Sequence, residues 1–106
     1  MYVPSHFKED RVPVLHDAIR RIGIGSLITL GSDGIEASHI PLLVDPEPGP
    51  FGTLRGHVAR SNPQWKRVAE GTDALITFLG PEAYISPSWF PSKRETGKVV
   101  PTWNYI

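Results

Sequence analysis

The segment Gly56-His57-Val58-Ala59-Arg60-Ser61-Asn62-Pro63-Gln64-Trp65 gathers side chains that could hold an anion. The guanidinium of Arg60 is a planar fork of donors that matches phosphate oxygens. Ser61 and Asn62 add neutral donors, and His57 stands just upstream on the strand that leads in. Ser61-Asn62-Pro63-Gln64 fits the S-x-x-Q capping box, with Pro63 in the first turn. A helix is therefore expected to open at Ser61, directly after Arg60. Its free backbone N–H groups and the positive end of its dipole attract phosphate. Together these parts make a cradle for a phosphomonoester. Each also has a ligand-free role: Ser61 is needed as a cap in any case, and Arg60 could pair with a surface carboxylate. The sequence leaves both readings open.

Two further groups of residues could line a pocket. His39 sits in Ala37-Ser38-His39-Ile40-Pro41, where a histidine beside a strand proline either faces a ligand or hydrogen-bonds at an edge. Tyr84-Ile85-Ser86-Pro87-Ser88-Trp89-Phe90, Trp103 and Tyr105 offer the apolar walls and hydrogen bonds that a flat heteroaromatic ring needs, although the same residues also suit a core or a subunit interface. His6, His16, His39 and His57 lack the close spacing of a zinc motif, so no metal site is expected. The chain has no cysteine, which excludes disulfides, thiolate ligands and a thiol nucleophile. Neither a G-x-S-x-G elbow nor a P-loop occurs. No catalytic residue can be named.

The elements that must position these groups follow from periodicity. A helix is expected from Asp10 to Ile22, capped by Asp10, with Pro13 in its first turn and Leu15, Ala18, Ile19 and Ile22 as its apolar stripe. Ile24–Leu30 and Ile35–Val44 read as a hairpin about Gly31-Ser32-Asp33-Gly34. Pro41 cannot donate to a ladder, so the second strand is an edge there or carries a bulge. Thr53–Ala59 is a third strand. The helix after Ser61 carries Trp65, Val68 and Ala69 inward and stops at Gly71. Strands follow at Thr72–Leu79, Ala83–Ser86 and Val100–Ile106, with a long loop from Pro87 to Val99. Strands dominate, and most connections look antiparallel. This predicts a mainly β fold, a small barrel or curled sheet with short helices at its ends. The strand at Thr102–Ile106 would leave an apolar edge, to be covered by a partner subunit or by more of the chain.

The bulk numbers agree with one small domain: 106 residues, 40% hydrophobic and 21% charged. Eleven basic and eleven acidic residues cancel, so there is no global field for nucleic acid. Lys93, Arg94 and Lys98 form only a small basic loop, and no helix-turn-helix spacing is present. Contact with DNA thus finds no support in the residues. No apolar run reaches membrane-spanning length and the N-terminus lacks a signal-peptide core, so a cytoplasmic protein is expected.

The block Leu54-Arg55-Gly56-His57-Val58-Ala59-Arg60-Ser61-Asn62-Pro63-Gln64-Trp65 resembles the L-x-G-H-V-A-R-x-N-P-Q-W block of the PaiB-like family, bacterial proteins described as FMN-binding negative transcriptional regulators. Met1-Tyr2-Val3-Pro4-Ser5-His6-Phe7, Gly80-Pro81-Glu82-Ala83-Tyr84-Ile85-Ser86-Pro87-Ser88-Trp89 and Val100-Pro101-Thr102-Trp103-Asn104-Tyr105 agree as well, in order and in spacing. The resemblance implies an FMN-binding split barrel that forms a homodimer with FMN at the subunit interface. It implies that His57, Arg60, Ser61 and Asn62 contact the phosphate or ribityl chain, with His39, Pro41 and Trp103 near the ring. Family members continue past the W-N-Y block. Residues 1–106 are therefore expected to be a single split-barrel domain, the N-terminal part of the fold, incomplete at its C-terminus. A flavin-dependent oxidoreductase, a flavin reductase or oxidase on the same fold, is the rival expectation.

Overall fold

The computed structural model describes residues 2–69 and 71–106. Helix α1 (Val12–Ile22) begins two residues later than expected, after Arg11. Asp10 does not cap it. Glu9 does the ordering instead: its Oε1 accepts the Arg11 backbone N–H at 2.8 Å and the Arg11 Nε at 2.9 Å. The paired guanidinium and amide hold the Glu9 carboxyl down to about 2. Pro13 lies in the first turn, where its missing N–H costs nothing. Gly23 ends the helix in a left-handed conformation (φ 73°), its N–H donating to the Ile19 carbonyl at 2.8 Å.

Strands β1 (Ile24–Gly31) and β2 (Gly34–Asp45) pair in register from Ile24–Pro41 to Gly31–Gly34, which leaves Ser32 and Asp33 as the hairpin turn. Strand β3 (Thr53–Gly56) adds antiparallel to β2, and β4 (Leu75–Thr77) adds antiparallel to β1. The four-stranded order is β3-β2-β1-β4. Strands β5 (Glu82–Ile85) and β6 (Thr102–Tyr105) form a separate antiparallel pair. Between them the long loop contains a 3-10 turn at Pro87–Trp89 and a short helix, α3 (Ser92–Thr96), ended by Gly97. The architecture is mainly β with short helices and antiparallel sheets, consistent with a split-barrel type of fold.

Alternation along β2 sorts the two faces of the larger sheet. Ile40, Leu42 and Val44 are buried on the inner face; Pro41 and Leu43 stand on the outer face. Helix α1 packs against β2. The residue that α1 buries most is His16, which donates its Nε2 hydrogen to the Phe51 carbonyl at 2.9 Å; of the expected stripe, Ala18, Ile19 and Ile22 are half-buried and Leu15 is exposed. A carbonyl can only accept, so Nε2 carries the proton. The apolar core is small and the Cα radius of gyration is 18.3 Å, against about 13 Å for a compact chain of about 100 residues. The two sheets do not close on each other.

Strand β3 is shorter than expected, and Pro41 explains where it stops. The Leu42 N–H points toward α1 and β1, donating to the Gly23 carbonyl at 2.8 Å. Successive N–H groups alternate sides along a strand, so the position of the missing Pro41 N–H faces β3. Gly56, opposite Leu42, is the last residue of β3. The ladder ends where its next donor is absent, and β2 is an edge on that side.

Candidate functional site

The end of the β2–β3 ladder releases the chain at His57, and the release creates a concavity. A groove of about 650 Å³ is lined by Arg20, Gly23, Pro41, Leu42, Leu43, Arg55, Gly56 and His57. Pro41 and Leu43 give it an apolar floor on the outer face of β2. Arg55, across from Leu43, and Arg20, in the last turn of α1, complete the lining, with their guanidinium groups paired to Asp45 and Asp17 outside it. Neither arginine was singled out from the sequence. Nothing in their local pattern distinguishes them from solvated surface charge; only the fold brings residues 20, 41, 55 and 57 together.

The turn that carries Arg60, Ser61 and Asn62 follows the groove. The Asn62 N–H donates to the Ala59 carbonyl at 2.8 Å and closes this turn. The expected capping box does not form. Helix α2 spans Gln64–Arg67 only, Ser61 lies outside it, and it is the Asn62 Oδ1 that accepts the Gln64 N–H, at 2.9 Å. A single helical turn carries little dipole, and one of its free amides is already taken. The helix-mouth part of the phosphate argument therefore loses its force. What remains is side-chain chemistry. Arg60 is exposed and makes no ion pair among the described residues, so its guanidinium is open to solvent. Its backbone carbonyl accepts the Trp65 indole N–H at 3.3 Å, which steadies the turn. The Ser61 side chain is exposed. Asn62 donates one amide hydrogen to Ser38 Oγ at 2.8 Å, and its other amide hydrogen has no partner among the described residues.

Beneath this turn lies a feature the sequence reading missed. Trp65, expected to face inward, is exposed, and Gln64 is buried at 2% exposure. Its Nε2 donates to Thr29 Oγ1 at 2.9 Å and lies 3.3 Å from the Leu27 carbonyl and 3.4 Å from that of Glu36. Its Oε1 has no partner among the described residues. Arg67 pairs with Glu36 and, at 3.3 Å, with Asp33 in the hairpin turn. The turn that carries Arg60 is thus hung from the inner sheet face by Asn62, Gln64 and Arg67. The S-x-x-Q pattern held a signal here, but read as a cap it pointed to the wrong end of the glutamine.

The remaining candidates divide. His39 is on the outer face beside Pro41, its Nδ1 2.9 Å from Ser26 Oγ of the neighbouring strand. Trp103 is elsewhere, on β6, edge-on to Tyr84 at 5.8 Å. With Leu79, Glu82 and Tyr105 it lines a second groove of about 480 Å³. The structure therefore brings His57 and Pro41 into one groove, sets Arg60, Ser61 and Asn62 on the turn that leaves it, keeps His39 on the same face, and places Trp103 with the two-stranded ladder. An apolar floor, basic residues in the lining and a volume within the usual range of about 300–1,000 Å³ fit a flat ring carrying a phosphate ester.

Comparison with known proteins gives this chemistry a name. A family model described as "Putative FMN-binding domain" matches residues 1–106. The protease synthase and sporulation protein PAI 2 of Bacillus subtilis is 35% identical over 99% of this chain and 48% of its own length. An uncharacterized protein of Aspergillus fumigatus is 34% identical over 99% of this chain and 52% of its own, and one of Saccharomyces cerevisiae is 32% identical over 99% and 72%. The chain spans about half the length of the first two, and its relatives are fungal as well as bacterial. The resemblance noted in the sequence holds along its whole length, and the cofactor of the matching family is FMN. This chain belongs to that family of FMN-binding domains.

Proposed function

We propose that the chain binds FMN with its phosphate at the His57–Asn62 turn and its ring toward the outer face of β2. The reading is carried by an exposed Arg60 guanidinium, without an ion pair among the described residues, on the turn that directly follows His57, which lines the apolar groove with Pro41. Arg60 and Ser61 would bind phosphate oxygens. His57 would reach the phosphate or ribityl hydroxyls, and Asn62 would offer its free amide hydrogen while holding the turn to Ser38. Pro41 supplies apolar wall, and His39 lies on the same face. Trp103 would join from the second groove only if the two-stranded ladder of another copy approached. When bound, FMN supplies the redox chemistry of its ring; the protein supplies binding and orientation.

The outer sheet face supports a homodimer with FMN at its interface. Ile24, Leu30, Ile35, Leu43 and Leu75 are exposed there on adjacent strands, an apolar surface of the kind that marks subunit contact. A single domain over residues 1–106, continued by further chain that completes the barrel, is part of the same reading. So are a cytoplasmic location and a role as a negative transcriptional regulator with flavin as sensor or structural ligand; the last is supported by the family resemblance and by the name of the Bacillus relative. Among the described residues no helix is long and apolar enough to cross a membrane.

The test is Arg60→Ala, with FMN and riboflavin titrated side by side by quenching of flavin fluorescence. A charge-assisted bond to phosphate predicts a loss of about 10–100-fold for FMN. Riboflavin, which has no phosphate, is expected to change little. Equal losses for both ligands would contradict the assignment, as would a chain that stays colourless in excess FMN.

A further inference from the structure

We infer that Ser38 is a positioning residue for phosphate selectivity: through Asn62 it pins the far end of the segment 57–61 to β2, and so sets where Arg60 and Ser61 stand. The inference rests on the reading that this turn holds the flavin phosphate, and it adds what keeps the turn in shape.

The chain is fastened to β2 on both sides of this segment. Gly56 pairs with Leu42 at the last step of the β2–β3 ladder. Asn62 Nδ2 donates to Ser38 Oγ at 2.8 Å. The four steps of β2 from Ser38 to Leu42 cover about 13 Å, at about 3.3 Å per residue. The six steps from Gly56 to Asn62 could reach about 20 Å if fully extended. The surplus must bow away from the strand, and the bow carries His57, Arg60 and Ser61. Part of it is taken up by the turn that the Asn62 N–H closes on the Ala59 carbonyl. Arg60 and Ser61 are exposed on that turn.

Asn62 is held three ways. Its N–H goes to Ala59, its Oδ1 accepts the Gln64 N–H at 2.9 Å, and one Nδ2 hydrogen goes to Ser38. The first two bonds are local to residues 59–64, as is the bond from the Trp65 indole to the Arg60 carbonyl. Among the described residues the Ser38–Asn62 bond is the one hydrogen bond that ties residues 57–63 to the sheet. Ser38 is half-buried and does not line the groove, so any effect it has on a ligand passes through Asn62. Oxygens of one phosphate lie close together, so the donors of Arg60 and Ser61 must converge on a small volume. A turn already pinned at both ends meets that demand without a further cost of ordering. Riboflavin has no phosphate and gains little from it.

The experiment is a double-mutant cycle read as the ratio of FMN to riboflavin affinity, by quenching of flavin fluorescence. Ser38→Ala is expected to weaken FMN about tenfold, the loss of one hydrogen bond that orders the turn, and to change riboflavin little. Ser38→Thr keeps the hydroxyl and is expected to keep the parent ratio. In an Asn62→Ala background, Ser38→Ala is expected to add nothing, because the link is already gone. Destabilisation by itself lowers the folded fraction for both ligands alike, so a merely structural role leaves the ratio where it was. A parent ratio retained in Ser38→Ala overturns the inference. So does an equal fall in Ser38→Thr, or a further fall when Ser38→Ala is added to Asn62→Ala. A preference for FMN that is lost in Arg60→Ala but kept in Ser38→Ala leaves the phosphate reading standing and overturns the positioning alone. A parent chain that shows no preference for FMN over riboflavin overturns both.

Discussion

Replacing Gln64 tests the support beneath the site. Gln64→Ala removes the donor to Thr29 Oγ1 and the longer contacts to the Leu27 and Glu36 carbonyls. Thr29 is buried at 5% exposure and cannot readily turn to water. Each buried polar group left without a partner costs about 1–3 kcal/mol. Two gains offset this: the unpartnered Gln64 Oε1 is removed as well, and the side-chain entropy of a glutamine is returned, each about 1 kcal/mol. Three acceptors lose their donor, about 3 kcal/mol even at the low end of that range, so the net loss is about 1 kcal/mol or more, a large share of the stability of so small a domain. With a urea m-value of about 1–2 kcal/mol/M the midpoint falls by about 0.5 M or more. Gln64→Glu sharpens the test. Its second oxygen would face the Leu27 and Glu36 carbonyls, which only accept, so the acid must be protonated to fit. Burial raises its folded-state pKa above the ordinary carboxyl value of about 4.3. The penalty is therefore absent below that value and grows as pH rises through it. Urea unfolding at fixed protein concentration, followed by tryptophan fluorescence at pH 4 and pH 7, measures both variants against the parent chain. An unchanged midpoint for Gln64→Ala, or a Gln64→Glu penalty equal at the two pH values, would refute the buried tie.

Gly52→Ala is expected to cost about 2 kcal/mol or more, because Gly52 has φ 79° and an added Cβ would lie 2.3 Å from the Asp45 carbonyl oxygen and 3.1 Å from His16 Cε1. The same unfolding assay reads it, together with loss of the His16–Phe51 bond in the imidazole NMR signals. The Glu9 carboxyl is expected to titrate at about 2 by NMR, and in Arg11→Gln to return toward its ordinary value. Its folded value is depressed, so whatever it contributes to ordering the start of α1 is present above the ordinary carboxylate range and is lost as pH falls toward 2. An unaltered titration in Arg11→Gln would remove the pair as the cause.

Much of the fold was legible in residue pattern because it depends on local chemistry. The hairpin about Ser32-Asp33, the stop at Gly23, the proline in the first turn of α1 and the strand-rich, antiparallel character follow from turn residues and periodicity. The block from Leu54 to Trp65 carried the family and its cofactor. Legibility failed where burial chose a residue that hydropathy would not. His16 and Gln64 are polar, yet they occupy the inner face because a carbonyl of the loop and a threonine of β1 answer them across the sheet. Trp65 turned outward for the same reason, the helix rotating to bury its glutamine.

What the sequence determined alone is the list of parts: an exposed-strand proline, a histidine and an arginine at a strand's end, and a chain with no thiol. The tertiary structure decided their grouping. Pro41 ends the β2–β3 ladder only because β3 happens to lie on the side where its N–H is missing. Arg20 and Arg55 line one groove only because α1 packs on β2, which also pairs with β3. Such long-range meetings depend on which elements neighbour one another, and no local propensity encodes that.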